Sequence, residues 1–206
     1  AYPAGMPRTM TLPLGKLPAG LTGRLRLRTN QELHIDRLSL FRPVDVPVTV
    51  TAVNPTVAEL RPAGFPREYS PDGRLPRLYD YDVMDKTLQF KTLAGAFTRF
   101  GDVAELLVGA DDRYVVFAGG EEIALRYPAP AEPAAGRKRT FVLDSVGWCK
   151  DMDPHTAAPY TVEPLPFLGM SGYPYGPSER FPDTPAHRAW AANYQTRILP
   201  GTRAGR

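Results

Sequence analysis

Hydrophobic and polar residues alternate along much of the first two thirds of the chain, and this period of two predicts short strands with one buried face. In the run RLRLR, Leu25 and Leu27 face away from Arg24, Arg26 and Arg28. Strands with one apolar face are typical of antiparallel sheets. The predicted strands are Thr9–Leu14, Thr22–Asn30, Glu32–Phe41, Val46–Val53, Thr56–Arg61, Lys86–Lys91, Arg113–Ala118, Glu121–Tyr127 and a segment that begins at Arg139.

Turn chemistry separates these strands. Gly119-Gly120 permits the positive φ angles of a hairpin turn, so Arg113–Ala118 and Glu121–Tyr127 are predicted to pair with each other. Residues 62–82 contain prolines and charges, and they are predicted to form a long surface loop with a turn at Ser70-Pro71-Asp72-Gly73.

The stretch Arg139–Gly176 has the most unusual pattern. Phe141 and Leu143 alternate with polar or smaller residues as in a strand, and after Asp151 the chain becomes a run of Pro, Gly and aromatic residues. Such a run cannot join a hydrogen-bonded ladder, yet its aromatic residues carry too much apolar area to remain in water. We therefore expect an ordered, irregular wrap laid over a β-sandwich.

Two helical segments are predicted. Thr184 is a good N-cap, Pro185 suits the first helical position, and aromatic residues recur at helical spacing, so Thr184–Ile198 is predicted to be an amphipathic helix. Gly101–Val108 is predicted to contain one or two helical turns, with Asp102 as the capping residue.

Together these elements predict a mainly β fold: a jelly-roll-like antiparallel β-sandwich with a long Pro- and aromatic-rich wrap and one C-terminal helix. Residues 1–137 would form the sandwich core, and residues 138–206 the final strand, the wrap and the helix, packed on the same domain. The 23 prolines among 206 residues favour strands joined by fixed loops over a helical protein.

The formal net charge of +3 is a mild excess, and the basic residues are scattered. Arg24, Arg26 and Arg28 would share one sheet face, either as a solvated surface or as a contact for an acidic partner. We expect no nucleic-acid partner.

No apolar run approaches the ~18–20 residues of a membrane span, so no membrane-spanning segment is expected. Because the chain begins with Ala1 rather than Met, we expect a processed or truncated piece of a longer protein.

A cation site is one candidate for chemistry in the wrap. Asp144, Asp151, Asp153 and His155 offer ligands at close spacing, as a calcium loop would. The glycine of an EF-hand loop is missing, and Pro154 lies where that loop would turn, so a hydrogen-bonded loop clasp is the alternative. We expect no cofactor, with calcium as the alternative. Cys149 is the single cysteine, which excludes an internal disulfide, and it is expected to be a small buried hydrophobe.

No catalytic residue is predicted. Ser171, in Gly-Met-Ser-Gly-Tyr, lacks the setting of a nucleophile elbow. Paired carboxylates for glycoside cleavage need a spatial separation that a sequence does not display. The acidic residues considered for such a pair are Asp80, Asp82, Asp85, Asp111, Asp112, Glu121 and Glu122.

Aromatic residues supply the candidate contact surface, because large rings anchor protein interfaces and also stack on sugars. Packing of the wrap onto the core is the alternative role for the same rings. The candidates for contact with a partner or a glycan are Trp148, Tyr160, Phe167, Tyr173, Tyr175 and Trp190.

The segment Arg24–Leu38, RLRLRTNQELHIDRL, resembles a characteristic segment of the ASPIC/UnbV family. His34-Ile35 stands where that family has Tyr-Trp, and Cys149 stands where it often has Asp. Several later runs resemble the C-terminal region of cartilage-acidic-protein-like bacterial proteins, in which FG-GAP repeats precede this region. These runs are Arg99–Val103, Asp111–Phe117, Val146–Asp153, Thr161–Gly169, Ser171–Gly176 and Phe181–Arg188.

The resemblance implies an exported or envelope-associated protein that sits against other domains, and it brings no catalytic residues. We therefore predict a non-catalytic interaction or assembly module of a larger extracytoplasmic protein or complex, whose partners are other protein domains or subunits. A carbohydrate-binding module is the alternative function, and a hydrolase is the third.

Overall fold

A computed structural model of the protein describes residues 11–15, 25–28, 35–42, 44–45, 47–74, 77–88, 92–150 and 158–201. The chain divides into two units, the first made of Ala1–Thr51 with Ser70–Arg77, and the second of Ala52–Tyr69 with Leu78–Arg206. The predicted boundary between residues 137 and 138 lies inside the second unit.

The described residues of the first unit form neither helix nor strand. Their apolar side chains are exposed, with Leu38 at 78% and Val50 at 85%. The four strands predicted between Thr9 and Val53 are therefore wrong over the described residues. An alternating segment becomes a strand only when a neighbouring strand pairs with its backbone and a second layer covers its apolar face. The described residues of this unit supply neither. One turn is confirmed: the Asp72 carboxylate accepts the Arg74 N–H at 3.0 Å, as turn chemistry predicts.

The second unit is mainly β, as predicted, with small antiparallel sheets and the only α-helix in the described residues. The strands are β1 (Val57–Pro62), β2 (Phe65–Tyr69), β3 (Leu78–Asp85), β4 (Ala94–Phe97), β5 (Gly101–Asp102), β6 (Glu121–Arg126) and β7 (Arg197–Pro200). In the first sheet, β1 lies between β5 and β6, while β2 pairs with β3 and β4 pairs with β7. Strand β1 confirms the prediction for Thr56–Arg61, and Ala58 and Leu60 alternate inward as its pattern requires.

The predicted surface loop at 62–82 is wrong, because β2 and most of β3 form a hairpin there. The prolines favour a loop on local grounds, but they occupy positions that a sheet tolerates. Pro62 ends β1, Pro66 lies beside a bulge where the register shifts, and Pro71 lies in the connection between the strands. The strand predicted at Lys86–Lys91 does not form at residues 86–88, and residues 89–91 lie outside the described ranges.

The turn at Gly119-Gly120 is confirmed, but its predicted strand pair is wrong. The Glu121 N–H donates to the Ala118 carbonyl at 3.2 Å, and Gly120 has a φ of 81°. A Cβ on Gly120 would lie 2.9 Å from the Phe65 ring, so the close approach of this ring also requires a residue without a side chain at position 120. However, β6 pairs with β1, and residues 113–118 are not a strand.

The helix α1 runs from Pro185 to Tyr194, and the Thr184 hydroxyl caps it by accepting the His187 N–H at 3.3 Å. It ends four residues before the predicted Ile198, because Arg197–Pro200 pairs with β4 instead. Arg99 stabilises the end of the helix. Its side chain donates to the Asn193 carbonyl, and its guanidinium lies 4.7 Å from the centre of the Tyr194 ring.

The core lies between α1 and the first sheet. A 3₁₀ turn at Ala104–Leu107, within the predicted helical segment, contributes to it. Its N-cap residue is Val103 rather than the predicted Asp102, whose carboxylate accepts the Ala104 N–H at 2.9 Å. The buried members of the core cluster are Ala58, Leu60, Val103, Leu106, Trp190 and Tyr194.

The strand predicted from Arg139 is wrong, because residues 139–150 have no strand. Phe141 is 77% and Val142 85% exposed. Cys149 is also exposed, contrary to the prediction of a buried hydrophobe. No helix in the described ranges is long and apolar enough to span a membrane.

Candidate functional site

Four side chains hold the proline-rich segment 161–166 by donating hydrogen bonds to its carbonyls, and we call these four donors the tyrosine clamp. The bonds run from Lys150 Nζ to the Thr161 and Glu163 carbonyls at 2.6 and 2.8 Å, from the Tyr173 hydroxyl to Pro164 at 2.9 Å, from Tyr175 to Leu165 at 3.2 Å and from Tyr114 to Pro166 at 2.9 Å. Two prolines remove N–H groups from this segment, so its pairing with a strand is confined to one bridge between Thr161 and Ala94. The clamp provides partners for its carbonyls instead.

Carboxylates accept N–H groups from the wrap. Asp112 accepts the Leu168 N–H at 2.8 Å, which ties the wrap to the loop before Arg113. Glu179 accepts both the N–H and the hydroxyl of Ser171 at 2.9 and 2.6 Å, and these bonds lower the pKa of its carboxyl. The described part of the wrap is therefore irregular, as predicted, and it is fixed by side-chain hydrogen bonds.

An aromatic cluster packs around Tyr114, one of the four residues of the clamp. The Tyr114 ring lies 5.6 Å from Trp148, 6.3 Å from Phe181 and 5.7 Å from Trp190, measured between ring centres. The Trp190 indole N–H also donates to the Tyr114 carbonyl at 3.1 Å. Because Tyr114 contacts both the segment held by the clamp and the helix, it connects the wrap to the core.

Burial changes the acid–base behaviour of the clamp. It raises the pKa of Tyr114, and the negative charge of Asp112 adds to this effect. Burial also raises the pKa of Tyr173 and of Tyr175. It lowers the pKa of Lys150, while the carboxylate of Glu163 acts in the opposite direction. The tyrosine hydroxyls therefore remain protonated donors well into the alkaline range.

This arrangement predicts a loss of stability in alkali. In the unfolded chain a tyrosine ionises near pH 10, whereas in the folded protein burial keeps Tyr114 protonated to higher pH. The folded state then binds more protons, so the stability contributed by Tyr114 is fully present below pH 10 and falls as the pH rises above it. Urea unfolding of the wild type and of Tyr114→Phe between pH 8 and pH 12 measures this effect.

Tyr114→Phe is expected to be less stable by about 1–3 kcal/mol at pH 8, because the Pro166 carbonyl loses its donor. Above pH 10 the stability of the variant should fall less steeply than that of the wild type. Parallel curves for the two proteins would contradict the assignment of Tyr114 as a protonated donor.

Part of the clamp reaches the surface, and so does Trp148, whose ring packs on Tyr114 of the clamp. Trp148 is 41% and Tyr173 37% exposed, and the Lys150 ammonium lies 5.8 Å from the centre of the Tyr173 ring. We call Trp148, Lys150 and Tyr173 the aromatic face. Tyr160, which is 52% exposed, directly precedes the segment that the clamp holds.

The six aromatic residues predicted for contact differ in their exposure to solvent. Trp148, Tyr160 and Tyr173 are exposed, and Tyr175 is half-buried. Phe167 and Trp190 are buried, at 9% and 5% exposure, so the structure contradicts a surface role for these two. Helical spacing does not distinguish a ring that packs inward from one that is presented to solvent.

Two central residues, Tyr114 and Lys150, are absent from the site predicted by sequence. Tyr114 lies in a run with the pattern of a strand, so nothing in its local sequence marks it. Lys150 follows Trp148 by two positions, a spacing that places both side chains on one side of an extended segment. That spacing is the sequence signal that could have added Lys150 to the predicted aromatic contacts.

The other predicted sites lie partly outside the described residues. Of the possible cation ligands, Asp144 is exposed, while Asp151, Asp153 and His155 lie outside the described residues. Within the described ranges, no group of three or more His, Cys, Asp or Glu side chains is placed to hold a metal ion. Arg26 and Arg28 are exposed and Arg24 lies outside the described residues.

Most acidic residues considered for a hydrolase have structural partners. Asp80 pairs with Arg67, Asp111 with Arg113, Glu121 with Arg197 and Glu122 with Arg61, while Asp85 and Asp112 accept backbone N–H groups.

A wide-mouthed depression of about 340 Å³ is lined by residues 56–59 and Asp102. None of its lining residues belongs to the tyrosine clamp.

Comparison with known proteins gave no match to a protein-family model, to a curated protein or to a solved structure. The resemblance to the ASPIC/UnbV family therefore stays a prediction that rests on the quoted segments.

Proposed function

We propose that this protein is a non-catalytic interaction module that binds another protein domain or subunit through the aromatic face. The observation that carries the proposal is the combination of exposure and fixation at this face. Trp148 and Tyr173 present large rings to solvent, yet one packs on Tyr114 and the other donates a hydrogen bond to Pro164.

Fixation matters because binding normally costs the entropy of ordering side chains at the interface. A ring that is already held by its neighbours loses little further freedom when a partner arrives. Tryptophan and tyrosine are also residue types that dominate binding energy at interfaces. Lys150 adds a cation beside the Tyr173 ring, which favours a partner with a carboxylate or an electron-rich group at that point.

The resemblance to the ASPIC/UnbV family supports an extracytoplasmic setting, and we include that location in the proposal. The antiparallel pairing in each described sheet supports the jelly-roll-like sandwich that the sequence predicts. We keep that architecture as part of the proposal as well.

Carbohydrate binding is the second candidate, because the same face favours it. The exposed Trp148 and Tyr173 rings are each a surface on which a sugar ring can stack, and Lys150, beside Tyr173, would supply a donor to its hydroxyls.

Replacing Trp148 or Tyr173 by alanine tests both candidates. Each substitution is expected to weaken partner binding about 30-fold or more, since interface anchors contribute about 2 kcal/mol or more. Immobilised wild type and variants are compared by quantitative mass spectrometry of proteins captured from an envelope extract, and then on a glycan array. Tyr81→Ala is the matched control, because Tyr81 is 72% exposed and lies outside the aromatic face.

A set of proteins retained by the wild type and by Tyr81→Ala, but lost by Trp148→Ala and Tyr173→Ala, would support the protein-binding function. Glycan retention with the same dependence on Trp148 and Tyr173 would replace it with the carbohydrate-binding function. Retention that neither substitution alters would remove the aromatic face from both proposals.

A further inference from the structure

The segment 138–146, KRTFVLDSV, leaves four large apolar side chains exposed to water. Phe141, Val142 and Leu143 are 77%, 85% and 71% exposed, and Val146 is 62% exposed. These residues, with Thr140, have the high strand propensity of aromatic, β-branched and aliphatic side chains. No strand pairs with them among the described residues of the second unit. A segment with this composition and exposure is typical of an interaction site.

The charges at the two ends of the segment are opposite. Arg137, Lys138 and Arg139 precede the apolar residues, and Asp144 follows them. Lys138 and Asp144 are both exposed. When two copies of such a segment run antiparallel, the basic end of each copy lies beside the acidic end of the other. The segment is therefore complementary in charge to itself.

We propose that residues 138–144 form an antiparallel strand pair with the same residues of a second copy of this chain. This inference rests on the proposed function and names one partner of the module. A two-fold axis through the pair requires a residue that lies opposite its own copy. With Phe141 at the axis, Thr140 lies opposite Val142, Arg139 opposite Leu143 and Lys138 opposite Asp144.

This register places two Lys138–Asp144 pairs at the ends and two Phe141 rings at the centre. Opposite charges and aromatic rings that face each other across neighbouring strands stabilise a pair. A two-stranded pair alone is marginal in water, so we expect a dimer that dissociates on dilution. Strand addition of this kind uses backbone hydrogen bonds for affinity and side chains for selection.

Charge reversal tests the register. Lys138→Glu and Asp144→Lys should each weaken the dimer at least tenfold, because each places like charges opposite each other twice. The double variant Lys138→Glu/Asp144→Lys should restore it. An equimolar mixture of the two single variants should form a heterodimer. In that heterodimer the introduced glutamate of one chain faces the introduced lysine of the other, and the remaining Asp144 faces the remaining Lys138.

Sedimentation equilibrium over a concentration series measures these dissociation constants. Lys86→Glu is the matched control, because it makes the same charge change at an exposed residue outside the segment. Circular dichroism confirms that each variant is folded.

A chain that is monomeric at every concentration would overturn the inference. This holds whether hydrogen exchange finds the 140–144 amides unprotected or protected by pairing with a sheet edge of the same chain. A dimer that all charge reversals leave unchanged would also overturn it, because another surface would then form the dimer. Loss of the dimer leaves capture through Trp148 and Tyr173 unaffected, so this failure is distinguishable from failure of the proposed function.

Discussion

Replacing Arg197 by alanine is expected to lower the free energy of unfolding by about 3–5 kcal/mol, because it removes one partner of a largely buried ion pair. The side chains of Arg197 and Glu121 are 19% and 11% exposed, and two nitrogens of the guanidinium contact the two carboxylate oxygens at 2.7 and 2.9 Å. The Arg197 Nε also donates to the carbonyl of Thr98 at 2.6 Å, and the guanidinium lies 3.9 Å from the centre of the Phe100 ring. Without arginine, the largely buried Glu121 carboxylate would keep only the Ala118 N–H as a partner, at 2.9 Å. Urea denaturation at pH 7 measures the loss.

The neighbouring glutamate provides a matched control. Glu122 pairs with Arg61, but those side chains are 42% and 52% exposed. Arg61→Ala is therefore expected to cost about 1 kcal/mol or less, since water and salt screen an exposed pair. Raising the salt concentration should reduce the effect of Arg61→Ala more than that of Arg197→Ala. Similar losses for the two variants would show that burial does not distinguish these pairs.

The ion pair between Arg197 and Glu121 also illustrates why part of the fold could not be predicted from the sequence. Arg197 and Glu121 are 76 positions apart, and no local pattern links them. The prediction of a helix through Ile198 failed for the same reason, because Arg197–Pro200 pairs with β4. Tertiary pairing of this kind overrides local propensity.

Local signals succeeded where the interaction itself is local. Thr184 and Pro185 marked the start of the helix because a cap and a first-turn proline act within a few residues. The Gly119-Gly120 turn was predictable for the same reason, whereas the partner of the following strand was not. The tyrosine clamp joins Tyr114, Lys150 and segment 161–166 through side-chain bonds to backbone carbonyls, and no spacing in the sequence encodes such bonds.

Trp190→Ala is expected to cost about 3–5 kcal/mol of unfolding free energy, the range for removing a large aromatic ring from a core. Trp190 is 5% exposed and belongs to the cluster between α1 and the first sheet. Its ring lies near Tyr114 and Phe181, with ring centres 5.7 and 5.9 Å away. The substitution would therefore leave a cavity beside Tyr114, one of the residues of the clamp. The Tyr114 carbonyl would keep only its longer bond from the Gln195 side chain, at 3.4 Å. Chemical denaturation followed by circular dichroism measures the loss.

The second tryptophan is the matched control, and the comparison separates core from surface. Trp148 is 41% exposed and contacts Tyr114 through one tilted ring pair, so Trp148→Ala is expected to cost only about 0.5–1.5 kcal/mol. It should nevertheless abolish partner capture, whereas Trp190→Phe should retain capture with an intermediate loss of stability. Equal destabilisation by Trp148→Ala and Trp190→Ala would contradict the division of these aromatic residues into a buried support and an exposed face. The proposed function would then lose its support, because a ring needed for folding is not free to serve a partner.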